Sequence, residues 1–157
     1  MKVALWTFGK EHKSHLEEAI GLYTGRLRHY CDFEMKILSA GKKKGKLPPQ
    51  DLKAEEAAAV NRLLTPDHIL FCLDENGEAL SSVGLSRLLE KQQLISHKIP
   101  VFLIGGAYGI DASLLNKAQA VFSLSGLTFP HQIVRLIMAE QLYRAFSILH
   151  HEPYHHL

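Results

Sequence analysis

The stretch FSLSGLTFPHQIVRLIMAEQLYRAFSIL, Phe122 to Leu149, decides how the rest of the chain is read. With Ala120 and Val121 before it, its opening is the end of a short apolar strand that runs to Leu124 and then into Gly126, Leu127 and Thr128. Pro130 stands where a helix begins, because its fixed φ suits the first helical turn and its missing N–H is not needed there. The helix is predicted from Pro130 to Leu149. Met138, Leu142, Ala145, Phe146 and Leu149 fall on one stripe, and Ile133, Leu136, Ile137 and Ile148 leave little of the remaining circumference polar. A helix apolar nearly all round is buried on more than one side. A chain of 157 residues cannot easily enclose it, so one face is expected on the core and another on a second subunit.

The junction between strand and helix is a place for chemistry. A helix N-terminus leaves amides unpaired and carries partial positive charge, so the loop from Leu124 to Phe129, with His131 just inside the helix, can hold a polar ligand. The plainer alternative is an ordinary strand-to-helix turn. Upstream, PVFLI (Pro100–Ile104) is a buried strand followed at once by Gly105-Gly106-Ala107-Tyr108-Gly109. Its three glycines argue for backbone approaching a ligand closely, without the spacing of a dinucleotide fingerprint or a phosphate loop. Asp111 to Lys117 then forms a short helix.

Further towards the amino end, Val3–Phe8 and Phe33–Leu38 read as strands around a helix from Ser14 to about His29, with Ser14 as its cap. Gln50–Leu64 is helical by its Ala and Glu content. HILFCL (His68–Leu73) is the continuous apolar strand of a sheet covered on both faces, ended by the polar turn Asp74–Gly77. Ser81 or Ser82 opens a helix to about Ser96. Strands alternate with helices throughout, so the fold class is α/β with a largely parallel sheet flanked by helices, one domain over residues 1–157. In such sheets ligands sit beyond the carboxyl ends of strands. Leu73, Gly105 and Leu124 mark three such ends and line one site if their strands are neighbours.

Composition excludes more than it assigns. A formal net charge of +2 and 22% charged residues give no overall attraction for nucleic acid. Lys42, Lys43, Lys44 and Lys46 do concentrate charge in the loop SAGKKKGKLPP, either as a solvated loop or as a phosphate-backbone contact. Cys31 and Cys72 lack a CxxC partner and read as small core residues of a reduced compartment. No run approaches membrane-spanning length, and MKVALWTFGK is no signal peptide, so a cytoplasmic setting without membrane contact is expected. The closing HHEPYHHL has four histidines but no ordered second cluster, so no metal site is expected.

LIGGAYG, SLSGLTFPHQIVR, AEQLYRAF and the terminal PYH together resemble the bacterial 23S ribosomal RNA pseudouridine N3-methyltransferase family of the SPOUT superfamily, over essentially the whole chain. The resemblance implies S-adenosylmethionine as methyl donor, ribosomal RNA on the ribosome as substrate, a homodimer, and a C-terminal trefoil knot. It places the donor at Leu73, Gly105 and the loop Leu124, Ser125, Gly126, Leu127, Thr128 and Phe129. His131 becomes a candidate for proton handling or base contact. Arg135, one turn on, becomes a candidate for holding phosphate or charge developing on a base carbonyl. Tyr154 and His155 are expected to complete the RNA-facing wall of a partner's site. Near the terminus His155 and His156 are only partly charged at neutral pH, which is a departure that concerns RNA binding. The competing reading is a dimeric RNA-binding module of the same fold without catalysis.

Overall fold

The computed structural model describes residues 1–10, 14–41 and 46–156. Lys42, Lys43, Lys44 and Leu157 lie outside the described residues, as does the side chain of Ser14, while Lys46 is exposed. The elements run β1 (Lys2–Phe8), α1 (Ser14–Leu27), β2 (Asp32–Leu38), α2 (Pro49–Leu63), β3 (His68–Ala79), α3 (Ser82–Ile95), β4 (Ile99–Ile104), α4 (Ala112–Lys117), β5 (Ala120–Ser123) and α5 (His131–Leu149). All five strands are parallel, in the order β2-β1-β4-β3-β5.

The period-2 alternation of strand side chains divides the core in two. Val3 and Leu5 of β1, Phe71 of β3 and Phe102 of β4 face one side, where they meet Leu27, Leu85, Leu89, Met138, Leu142, Ala145 and Phe146 from α1, α3 and α5. Ala4, Trp6 and Phe8, with Leu70, Cys72, Val101 and Leu103, face the other and meet Ala57 and Val60 of α2 and Leu114 of α4. Because both faces are covered, β4 is apolar from end to end, as the sequence predicts. Cys31 and Cys72 are buried and unpaired, and burial pushes each thiol up to about 12, so both are inert packing residues.

Local signals explain most boundaries. The Ser81 hydroxyl accepts from the Gly84 amide at 3.0 Å to cap α3, and Asp111 accepts from Ser113 at 2.9 Å to cap α4. Pro130 is the cap of α5 and not its first helical residue; its carbonyl accepts from the Ile133 and Val134 amides. The stripe expected on α5 is the buried one, with Met138, Leu142 and Ala145 at 0% exposure.

The largest departure from the expected boundaries is in β3. β3 does not stop at Leu73: Asp74–Gly77 bulges out and the strand resumes, so that Leu73 and Glu78 both stand opposite Phe122 of β5. Asp74 organises the bulge by accepting from the Asn76 amide at 3.0 Å and its side-chain amide at 3.2 Å. Gly77 is required there, since a Cβ would lie 2.6 Å from the Phe122 carbonyl carbon. Gly77→Ala is therefore expected to force β3 and β5 apart and to cost about 1–3 kcal/mol, the range for overpacking a tight site. The check is a lowered urea midpoint at unchanged slope.

Candidate functional site

Beyond the carboxyl ends of β4, β3 and β5 lies a cavity of about 810 Å³. The three ends proposed from sequence are neighbours, because Leu73 pairs with Ile104 on one side and with Phe122 on the other. Leu73, Gly105, Leu124, Ser125, Leu127, Thr128, Phe129 and His131 all line this cavity. Gly126 does not; it is exposed at the outer bend of its loop, with open space where a Cβ would be.

The loop after β5 keeps its shape by internal hydrogen bonds. Ser123 Oγ donates to the Ser125 carbonyl at 3.0 Å, and Ser125 Oγ accepts from the Leu127 amide at 2.9 Å. Leu127 consequently stands 72% exposed beside the opening, an apolar side chain that no core position claims. Leu73, Ile104, Ile110 and Val134 make the inner wall apolar, while Lys53, Asp74, Glu75 and Asn76 supply polar groups. Sequence reasoning missed Lys53, Asp74, Glu75, Asn76 and Tyr108. The Asp74–Glu75 pair offered a signal but read as part of a plain polar turn, and Tyr108, a large aromatic set among glycines and 54% exposed, offered another.

The glycines after β4 line the cavity and are also required by packing within the protein. A Cβ on Gly105 would meet Ile110 Cγ1 at 2.7 Å and the Gly109 carbonyl carbon at 2.9 Å, so this glycine lets the loop fold on itself. Gly106 pairs with Gly109 to close the turn, and Gly109 has φ of +82°, open to glycine at little strain. The glycines are set by packing within the protein. They shape the cavity wall by permitting the turn.

His131 opens α5 at the cavity edge, half-buried, and burial together with the Arg135 guanidinium holds its imidazole below the ordinary value of 6.5. Arg135 is placed differently from the ligand contact anticipated for it. It is fully buried, donating from Nε to Thr7 Oγ1 at 3.2 Å, from Nη1 to the Lys10 carbonyl at 2.8 Å and from Nη2 to the Phe8 carbonyl at 2.7 Å. The cation thus binds the end of β1 and stands behind His131, not in the cavity. Gly9, with φ of +111°, passes close to both: a Cβ there would lie 2.9 Å from His131 Nε2 and 3.2 Å from Arg135 Nη2.

Tyr154 and His155 lie away from this chain's own cavity. The Tyr154 hydroxyl donates to Glu140 at 3.0 Å, its ring packs on Tyr143, and the Arg144 guanidinium lies 4.7 Å from the ring centroid. His155 Nδ1 is 3.4 Å from Arg144 Nη1. The tail is therefore docked on its own α5. Among the described residues no group of three or more His, Cys, Asp or Glu converges as metal ligands do, and no helix is long and apolar enough to cross a membrane.

Comparison with known proteins gives a consistent picture. Residues 1–155 match the family described as predicted SPOUT methyltransferase. Ribosomal RNA large subunit methyltransferase H of Christiangramia forsetii is 40% identical over 156 residues, covering 99% of each chain. The protein of the same name from Flavobacterium johnsoniae is 42% identical over the same share of both chains. Among solved structures, a probable methyltransferase from Bordetella pertussis Tohama I superposes with a TM-score of 0.58 at 11% identity, covering 92% of this chain and 94% of its own, a likeness of fold.

The buried guanidinium generates a prediction about the frame of the site. Arg135→Met fills similar space but leaves the Phe8 and Lys10 carbonyls without their charged donor, at about 1–3 kcal/mol for each orphaned acceptor. The variant is expected to lose about 2–4 kcal/mol of stability in chemical denaturation. Arg135→Lys is expected to recover little, because one ammonium cannot reproduce the planar fork.

Proposed function

The chain belongs to the SPOUT methyltransferase family, and from that premise we propose that it transfers a methyl group from S-adenosylmethionine to N3 of a pseudouridine in 23S ribosomal RNA, acting on the ribosome in the cytoplasm. The observation that carries this reading is the convergence of three adjacent strand ends on one cavity. Its volume of about 810 Å³ falls within the range of small-molecule sites, roughly 300–1,000 Å³. Relatives at full length whose name specifies large-subunit ribosomal RNA supply the substrate class.

The residues present fit such a donor. Leu73, Ile104 and Leu127 offer apolar surface for a purine, the strand-end backbone at Gly105 and Leu124–Phe129 offers amides and carbonyls for its edge, and Asp74 and Glu75 offer acceptors for a ribose or an ammonium. When bound, the sulfonium supplies an activated methyl group with a neutral thioether as leaving group. What remains for the protein is alignment and the removal of one proton from the imide nitrogen. His131 is the group for that proton. Because burial and Arg135 depress its pKa, it is neutral over the working range and free to accept. Arg135 contributes indirectly, by fixing the helix that carries His131 and by favouring the neutral imidazole.

The same proposal includes the trefoil threading of the C-terminal segment and a homodimer. On α5, Ile133, Leu136 and Ile137 remain only half-buried after α1 and α3 have packed beside it, which leaves apolar surface for a partner. The tail docked on α5 then lies at the subunit boundary. Tyr154 and His155 are read as completing the partner's cavity.

Two measurements test this reading. Incubation of ribosomes from cells lacking the protein with labelled S-adenosylmethionine is expected to place one methyl on a 23S pseudouridine, read by mass spectrometry of RNA fragments. Calorimetry showing no donor binding would instead favour the RNA-binding module without catalysis. His131→Asn is expected to lower kcat by about 10²–10⁴-fold, the span of general-base contributions. For the unaltered protein, activity depends on the neutral imidazole. It should hold above pH 6.5 and fall only as pH drops through the depressed pKa, so the acid limb lies below 6.5. An acid limb above that value would remove His131 from the role.

Deleting residues 153–157 is expected to leave the dimer mass in light scattering and the donor affinity nearly unchanged, and to abolish most methyl transfer. Full activity of the truncated protein would make the tail dispensable.

A further inference from the structure

Apart from Arg135, one charged side chain is counted among the buried residues described: Glu56, on α2, 8% exposed. It is absent from the cavity lining, and no step of the proposed reaction uses it. Its carboxyl lies against the backbone amide of Gly106, the residue that begins the turn after β4; burial disfavours the carboxylate and raises its pKa, while that amide favours it. The contact is tight enough to dictate sequence on both sides, since a Cβ on Gly106 would stand 2.2 Å from Glu56 Oε1 and 2.9 Å from Oε2. The turn closes on the far side as the Gly109 amide donates back to the Gly106 carbonyl at 3.1 Å. The inner face of that turn, Gly105 to Ile110, is wall of the cavity.

A buried carboxylate is costly and is retained where it satisfies a polar group that nothing else reaches. Here that group is an amide just past the end of β4, where the parallel ladder has run out. A shorter or apolar residue at this position would leave the amide unpaired and the Gly105–Gly109 turn without an anchor on α2. Lys53, three residues earlier on the same helix, lies in the cavity lining, so the glutamate ties to the turn the helix that also supplies a polar wall group.

We propose that Glu56 is a positioning residue for the methyl donor: through the Gly106 amide its carboxylate fixes the turn that forms one wall of the donor pocket. This rests on the reading of the cavity as a S-adenosylmethionine site. The carboxylate touches no reacting atom, so its effect belongs to donor affinity and not to RNA affinity.

The test measures the dissociation constant for S-adenosylmethionine by calorimetry and, separately, the KM for ribosomes, in the full-length protein and four variants whose folding is checked by circular dichroism. If the unaltered protein fails to bind the donor, the reading of the cavity fails; if it binds, the variants decide the role of Glu56. Glu56→Ala is expected to weaken donor binding at least about tenfold, the consequence of losing one hydrogen bond to a charged group, with KM for ribosomes unchanged. Glu56→Gln keeps an acceptor oxygen and is expected to stay within about threefold of the unaltered protein, since a neutral acceptor loses only part of such a bond. Gly106→Ala places its methyl on the carboxylate and is expected to bind the donor as poorly as Glu56→Ala or worse. Combining it with Glu56→Ala removes that collision, so the double variant should recover to the level of Glu56→Ala alone. Unchanged donor affinity in folded Glu56→Ala, a parallel rise of donor dissociation constant and ribosome KM, or a double variant that binds the donor more weakly than Glu56→Ala alone would each overturn the proposal. Should Glu56→Ala not fold, donor affinity in Glu56→Gln still decides: a tenfold loss there would overturn it.

Discussion

The guanidinium of Arg135 is the constraint on which the arrangement of the site depends. Placing a full charge at 0% exposure costs several kcal/mol, about what effective desolvation of an ion amounts to in proteins. The site recovers it because Thr7 Oγ1 and the carbonyls of Phe8 and Lys10 meet the planar fork. Two of those acceptors lie at or beyond the end of β1, where ladder partners stop and backbone carbonyls must find other donors. The bond set fixes the rotation of α5 about its axis. Met138, Leu142 and Ala145 are thereby turned onto the core, and His131, one turn before Arg135, is turned towards Gly9 and the cavity.

The opposite face of the sheet repeats the device with the charge reversed. There a glutamate on α2 accepts from an amide after β4, where an arginine on α5 donates to carbonyls after β1. Both solve the same problem: the irregular backbone beyond parallel strand ends carries unpaired polar groups, and a ligand site built there cannot satisfy them all itself. The signs suit the groups, since a carboxylate only accepts and a guanidinium only donates.

The frame of this fold was legible because apolar runs and turn residues carry it. HILFCL and PVFLI cannot be surface segments, Ser81 and Asp111 mark helix starts, and the α5 stripe follows the helical period. The continuation of β3 past Leu73 was not legible: four polar residues read as a turn whether or not the strand resumes afterwards. The glycines after β4 were legible as glycines, but their packing partners were not. A sequence shows that a Cβ is missing but not what would have met it, and the atoms in question belong to Ile110 and to Glu56 on a distant helix. Within AEEAAA the two adjacent glutamates are indistinguishable by composition, yet one is buried and the other is half-buried. Arg135 was visible as a charge near the site, but its burial was not, because the acceptors that permit it come from β1.

The separation between charges that build the site and groups that work in it has a chemical consequence. Had Arg135 faced the cavity, its field would reach a bound sulfonium cation directly and oppose it; buried and engaged with three acceptors, it is partly neutralised by carbonyl dipoles before that field reaches the opening. What survives acts on the neighbouring His131, whose imidazole is held below its ordinary value by burial first and by this charge second. A neutral imidazole is compatible with a cationic donor and can still take a proton, whereas an imidazolium can do neither. The polar groups on the lining, Lys53 with Asp74 and Glu75, carry both signs, so the cavity as a whole is not strongly charged. The exposed Arg28 and His29 at the end of α1 and His150, His151 and His156 beyond α5 stand at the opposite edge of the sheet from the strand ends that line the cavity.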